Sequence, residues 1–355
     1  MRPRDRFLVS FVLSLLAATP AVKGQAIDNV ATVVNQNQRD LGADGRDFLL
    51  KEVRQASFLL VGGLHGDNET QALVQLLVPG LGDGPKLTLT EMSPWSASRV
   101  FGAIPESSGV RLRGADIEEA QLAAVIRELA AGNPQHRIAQ EMLATIKPGY
   151  SRTLAREVLA LARQVDDVRD ASPGGLPLLT LLIRSLEVEV DRSRPETSGL
   201  GASLRREAVM KDFFLTHYRA AATGAAKPKV AAAFGRNHLH RGIDRRGVST
   251  LGNFIAEFAI AEGTQAFNVA LFAAGGRIAL GGVREFDERK ADPAFDYLAS
   301  LAKYPVTVFD MRPLREPLRN IPPAARTPAQ NSLLYWADSY DAVVCYREVT
   351  PLGSR

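Results

Sequence analysis

The sequence predicts an α/β fold: a mostly parallel central sheet flanked by helices, with a large helical insertion covering one end of the sheet. Three observations carry the prediction. Short apolar runs alternate with helical periodicity over residues 56–116, in the order strand, helix, strand, helix, strand. About a hundred residues, 118–225, then read as helix throughout. Strand-like runs resume after residue 228 and continue to the C-terminus.

The first 26 residues stand apart. Arg2, Arg4 and Arg6 form a basic start, and Phe7 to Ala18 is an apolar run. Gly24-Gln25-Ala26 supplies a small-x-small cleavage site, with Ala21 as a second option. This is the layout of a secretory signal peptide. The apolar run is shorter than the ~20 residues that span a bilayer; the competing reading is a retained anchor. No Cys follows it, which excludes a lipidated anchor. The expectation is an exported protein, periplasmic or secreted, with one domain over 27–355 and no membrane span once the leader is removed.

Charge and cysteine content narrow the class. The net charge is +4, and the leader's four basic residues against Asp5 account for most of it. No basic stripe is interleaved with aromatics, so nucleic acid is not an expected partner. Cys345 is the sole cysteine and lies in an apolar run, 341–346, which predicts a core thiol and excludes both a disulfide and a Cys-based zinc site.

Element by element, Ala56–Val61 reads as a buried strand ending at Gly62-Gly63. Asp67 or Asn68 caps a helix to Leu77. Pro85–Met92 and Val110–Leu112 read as strands, with a helix over 94–101 between them. The insertion divides into helices near 118–131, 134–146, 150–165, 175–188 and 200–222. Strands follow at 229–234, 267–272, 306–309 and 341–346, with a helix over 250–261.

The chemistry gathers at strand ends. Gly62-Gly63-Leu64-His65 and Gly235-Arg236-Asn237-His238 each place a His three residues after a Gly that closes an apolar strand. In an open parallel sheet, ligands bind beyond the carboxyl ends of the strands, and a sharp turn there favours glycine. Imidazoles at such ends can move protons or ligate metal near neutral pH. Glu91 ends the second strand on the same edge, as a general base or a ligand. Asp116 follows the third strand by the same logic. Glu69 sits four residues after His65, either facing the cleft or favouring the helix dipole. Arg206, on the last insertion helix, can bind an anionic group or an oxyanion. Arg236 and Asn237 complete the substrate-binding candidates, and His65, His238 and Glu91 form a candidate metal triad for Mn²⁺ or Zn²⁺. His240 reads as an exposed loop residue, and His136 and His217 as surface residues of helices. There is no Gly-x-Ser-x-Gly elbow, Walker loop or Gly-x-Gly-x-x-Gly after the first strand. Ser300-Leu301-Ala302-Lys303 matches Ser-x-x-Lys without the partner motifs of that chemistry.

These motifs together resemble the erythromycin esterase-like proteins. Gly62-x-x-His65 followed by Glu69 resembles their opening motif, and Glu91 their strand-end Glu. Gly114-Ala115-Asp116-Ile117, Arg206-Glu207-x-x-Met210, Asn237-His238 and Leu251-Gly252-Asn253-Phe254 resemble later motifs in the same order, over roughly 57–345. The paired Gly-x-x-His turns also resemble the wider group of ChaN-like haem-binding proteins and TraB/TIKI metal-dependent proteases. The resemblance implies a hydrolase in which His and Glu activate water against an ester or amide of a small-molecule or peptide substrate, with or without metal. Its alternative is a non-catalytic exported protein that binds haem or metal. One position departs from the esterases: they carry Glu three residues before the first His, where this chain has Gly62.

Overall fold

The computed structural model describes residues 29–83, 86–91, 110–114, 119–147, 150–165, 178–197, 199–222 and 227–353. The predicted leader, the helix over 94–101 and Asp116 lie outside them.

A helix α1 (29–36) leads to the edge strand β1 (Gln38–Asp40) and helix α2 (Asp44–Gln55). Then come β2 (Phe58–Gly63), α3 (Asn68–Leu77), β3 (Lys86–Thr90) and β4 (Val110–Gly114). The helices between β4 and β5 are α4 (Glu119–Gly132), α5 (Arg137–Thr145), α6 (Ala155–Ala162), α7 (Leu178–Arg192) and α8 (Leu200–Ala221). The chain returns through β5 (Lys229–Gly235), α9 (Leu251–Ala261) and β6 (Ala266–Ala273) to a hairpin, β7 (Arg277–Ala279) and β8 (Val283–Glu285). It ends with α10 (Pro293–Leu301), β9 (Val306–Asp310), α11 (Arg315–Arg319), α12 (Pro328–Ser339) and β10 (Ala342–Tyr346).

Eight strands form one sheet in the order β1-β9-β10-β6-β2-β5-β3-β4. From β10 to β4 every pairing is parallel; β9 runs antiparallel to β10, and β1 antiparallel to β9. The sheet is therefore mostly parallel, as the strand–helix alternation predicts.

Alternate residues of each central strand enter opposite cores, as the two-residue strand period requires. Phe58 and Leu60 of β2 pack with Leu87, Leu89 and the insertion helices, among them Ile126, Leu182 and Phe214. Leu59 and Val61 pack with Leu49, Leu73 and Leu77 of α2 and α3 on the other side. The insertion thus covers a face of the sheet, and it touches the sheet's carboxyl end through the long helix α8. Among the described residues no helix is long and apolar enough to cross a membrane. Cys345 is buried in β10, and burial pushes its thiol up to about 12, as expected of a core residue.

Candidate active site

The strand order makes the site. β2, β5 and β3 lie side by side and parallel, so their carboxyl ends share one edge. His65 follows β2, His238 follows β5 and Glu91 follows β3. Gly63 and Gly235 are register partners, which sets the two histidine turns next to each other.

The glycines serve by lacking a side chain more than by turning the chain. Gly235 has φ −54°, open to any residue, but a Cβ there would lie 2.7 Å from His65 Nε2 and 2.9 Å from Glu91 Oε2. Gly62 is equally constrained. A Cβ on it would meet Arg236 Cβ at 2.7 Å and the Tyr340 hydroxyl at 2.9 Å. The space beside Gly62 is filled by Arg236 and Tyr340.

Glu91 is the hub. Its Oε2 accepts the Gly235 N–H at 2.6 Å, and its Oε1 accepts Arg206 Nη2 at 2.7 Å, with His238 Nε2 at 3.3 Å. Burial alone would raise its pKa, but His238, Arg206 and His65 outweigh it and hold the carboxyl well below the ordinary range. Glu91 is an anion at any physiological pH.

His238 is clamped between two carboxylates. Its Nδ1 faces Glu207 Oε1 at 2.5 Å while Nε2 faces Glu91. Both ring nitrogens lie beside carboxylate oxygens, and the two carboxylates favour the imidazolium. Burial opposes that charge, yet Glu91 and Glu207 raise the pKa to about 9. Arg206 Nη1, 3.2 Å from His238 Nε2, is then a neighbouring cation held close by the shared Glu91. Glu207 is fixed in turn by the Leu251 N–H at 2.7 Å, the first residue of α9. Sequence reading placed Glu207 in a motif without giving it a role; its position beside Arg206 on α8 was the available signal.

His65 differs from His238. Its side chain is 54% exposed, and its Nε2 stands 3.9 Å from Glu91 Oε2, too far for a direct hydrogen bond. Its ring opens onto a cleft of about 370 Å³ lined by both histidines, Glu91, Arg206, Arg236, Asn237 and the hairpin residues Ile278, Leu280 and Arg284. The hairpin had no counterpart in the sequence reading, because three-residue strands are too short to show alternation.

The remaining candidates take other places. Glu69 is buried, and its carboxylate accepts the Thr350 N–H and the Thr350 hydroxyl, each at 2.8 Å; it ties α3 to the C-terminal segment and does not line the cleft. The cap of α3 is Asp67, whose Oδ1 accepts the Thr70 N–H at 2.6 Å. Arg236 lines the cleft, but its guanidinium is paired with Glu288, accepted by the Leu271 carbonyl at 2.9 Å and laid over the Phe295 ring at 4.9 Å. Asn237 is exposed on the cleft wall. His240 is buried, not exposed, and packs against Tyr335, Trp336 and Tyr340; burial lowers its pKa to about 4, so it is neutral. His217 is also buried, on the core face of α8. His136 is a helix N-cap, its Nδ1 accepting the Ala139 N–H at 3.4 Å.

The donor set does not fit the predicted metal. His238 Nδ1 is taken by Glu207 and its Nε2 lies between Glu91 and Arg206, and Glu91 already carries a guanidinium and an N–H on its two oxygens. Among the described residues no three His, Cys, Asp or Glu side chains converge as a metal site. Haem fits no better. A porphyrin has two apolar faces, and the apolar lining residues Leu64, Ile278, Leu280 and Phe286 are outnumbered by charged and polar side chains.

Solved structures share this architecture. A Bacillus cereus protein of no stated function superposes at TM-score 0.57 with 12% identity, covering 91% of this chain and 98% of its own. A succinoglycan biosynthesis protein does so at 0.57 and 14%, covering 94% and 99%. A mutant of the erythromycin esterase EreC in its open conformation gives 0.55 and 14%, covering 87% and 94%. The fold is that of the erythromycin esterases. No known family profile matches the chain. No curated protein matches it by sequence.

Proposed function

We propose that the protein is a metal-independent hydrolase of an ester or amide bond, with His65 as general base. The observation that carries this is the pairing of an exposed imidazole with a buried carboxylate on the cleft wall: His65 Nε2 stands 3.9 Å from Glu91 Oε2. A water that bridges the two from the cleft side can give a proton to His65 while Glu91 orients it. Arg206, 2.7 Å from Glu91, and the protonated His238 supply positive charge for the oxyanion that forms when the water attacks a carbonyl. Glu207 and Glu91 keep His238 protonated, so in this mechanism it stabilises charge and takes no proton.

The shared fold with an esterase is consistent with this reading, and fold alone does not determine chemistry. The leader-like segment 1–26 adds the proposal that the enzyme works outside the cytoplasm. N-terminal sequencing of protein recovered from the periplasm or medium would support export if the chain begins near residue 27. The test of function is hydrolysis of a panel of activated esters, lactones and peptides by the wild type beside His65→Ala and Glu91→Gln. Turnover of one class, lost in both variants, supports the proposal. Wild-type rates in both variants refute it.

A further inference from the structure

Behind Arg206 and His238 the cleft adjoins a second, smaller cavity of about 70 Å³. It is lined by Arg192, Ala202, Ser203, Arg206, Glu207, His238 and Arg246. Arg206, His238 and Arg246 belong to the walls of both spaces. The volume is several times the about 10–15 Å³ that one water requires, enough for one carboxylate or phosphate group.

Its charge is one-sided. Three arginines and an imidazolium face a single carboxylate, Glu207, and both oxygens of Glu207 are already taken by His238 and the Leu251 N–H. Two of the arginines share their carboxylate with a second cation. Arg192 shares Glu189 with Arg152, and Arg206 shares Glu91 with His238. Arg246 is paired with Asp244, which accepts its Nε at 2.7 Å and its backbone N–H at 2.9 Å and stands 2.6 Å from its Nη2, while its Nη1 has no hydrogen-bond partner among the described residues. The Ser203 hydroxyl, on the α8 wall, likewise has none. Held guanidinium groups and a spare hydroxyl around a small polar chamber are the donors that recognise an oxyanion.

We propose that this chamber is a subsite for a carboxylate or phosphate group, so that the ligand of the cleft is anionic and is anchored by Arg192, Arg246 and Ser203 beside the water-activating pair. It rests on the hydrolytic reading for the fate of that ligand, and its binding is testable without turnover. Arg246 and Arg192 come from different elements, a loop after β5 and the end of α7, so the spacing of the insertion from that loop sets the size of the anion accepted.

The experiment is calorimetric titration of the purified protein with inorganic phosphate and, separately, with succinate. The variants are Arg246→Gln, Ser203→Leu, which fills the chamber without removing charge, and His65→Ala. One-site binding of at least one anion is expected, weakened tenfold or more in Arg246→Gln and in Ser203→Leu. His65→Ala should bind within twofold of wild type, which keeps this result independent of the hydrolytic one. The better-bound anion names the group. No saturable binding of either anion would overturn the proposal. So would binding unchanged in both Arg246→Gln and Ser203→Leu, with the folding of each checked by circular dichroism.

Discussion

His65 Nε2 and Glu91 Oε2 stand 3.9 Å apart across the bare Cα of Gly235. The two side chains come from the ends of β2 and β3, and the strand between them, β5, ends in a glycine against which both pack too closely for a Cβ. A Gly235→Ala chain tests that close approach. The new methyl presses on both His65 Nε2 and Glu91 Oε2; the exposed His65 can give way, so the fold survives with a cost of about 1–3 kcal/mol typical of overpacking. Hydrolysis should fall about a hundredfold, measured as kcat/KM beside a thermal melt.

His238 predicts an alkaline weakness. Its pKa in the folded protein is about 9 against an ordinary 6.5, because Glu91 and Glu207 overcome the opposing effect of burial. A group with a raised folded pKa gives its full stabilisation below 6.5 and loses it as the pH climbs through about 9. Unfolding free energy measured by urea titration should therefore decline between pH 6.5 and 9, by on the order of 2–3 kcal/mol. The decline should be absent in His238→Gln, which is less stable at every pH.

Arg206 binds a buried carboxylate that also depends on His238. Arg206→Gln should destabilise the fold by about 2 kcal/mol, the scale of a lost charged hydrogen bond. The coupling to His238→Gln in a double-mutant cycle should be clearly non-additive, since both cations share Glu91 Oε1. Additive losses would mean that the two act separately.

Much of the site was visible before the fold. The histidine and glutamate positions follow from where apolar runs stop, because a parallel sheet puts every such stop on one edge. What the sequence left hidden depends on contacts between distant segments. Glu69 reads equally as a cleft residue or as a partner of the helix dipole, and it is Thr350, far along the chain, that captures its carboxylate. His240 reads as exposed because it lies in a loop, and α12 covers it with Tyr335 and Trp336. The engagement of the metal candidates was hidden for a related reason: periodicity gives no sign that Arg206 and Glu207, neighbours on one helix, reach Glu91 and His238.

Glu69 gives a control with the opposite signature. Glu69→Ala removes two hydrogen bonds to a charged group and should lower stability by about 2–3 kcal/mol. Below the melting transition, kcat/KM should stay within twofold of wild type, because Glu69 lies outside the cleft.

Metal independence has its own check. Protein dialysed against a strong chelator should keep its full rate of ester hydrolysis, and added Mn²⁺ or Zn²⁺ should not raise it. A rate abolished by chelation and restored by either ion would show that the arginine-bound Glu91 rearranges to ligate metal.

The most direct measurement is chemical rescue of the base. His65→Gly should lose about 10²–10⁴ of the hydrolytic rate, the usual contribution of a general base. Its place opens onto the cleft, so free imidazole can enter, and the rate should recover with saturating dependence on imidazole concentration. A folded His65→Gly protein that hydrolyses at the wild-type rate without imidazole, or that no concentration of imidazole restores, would contradict the assignment of His65 as the base.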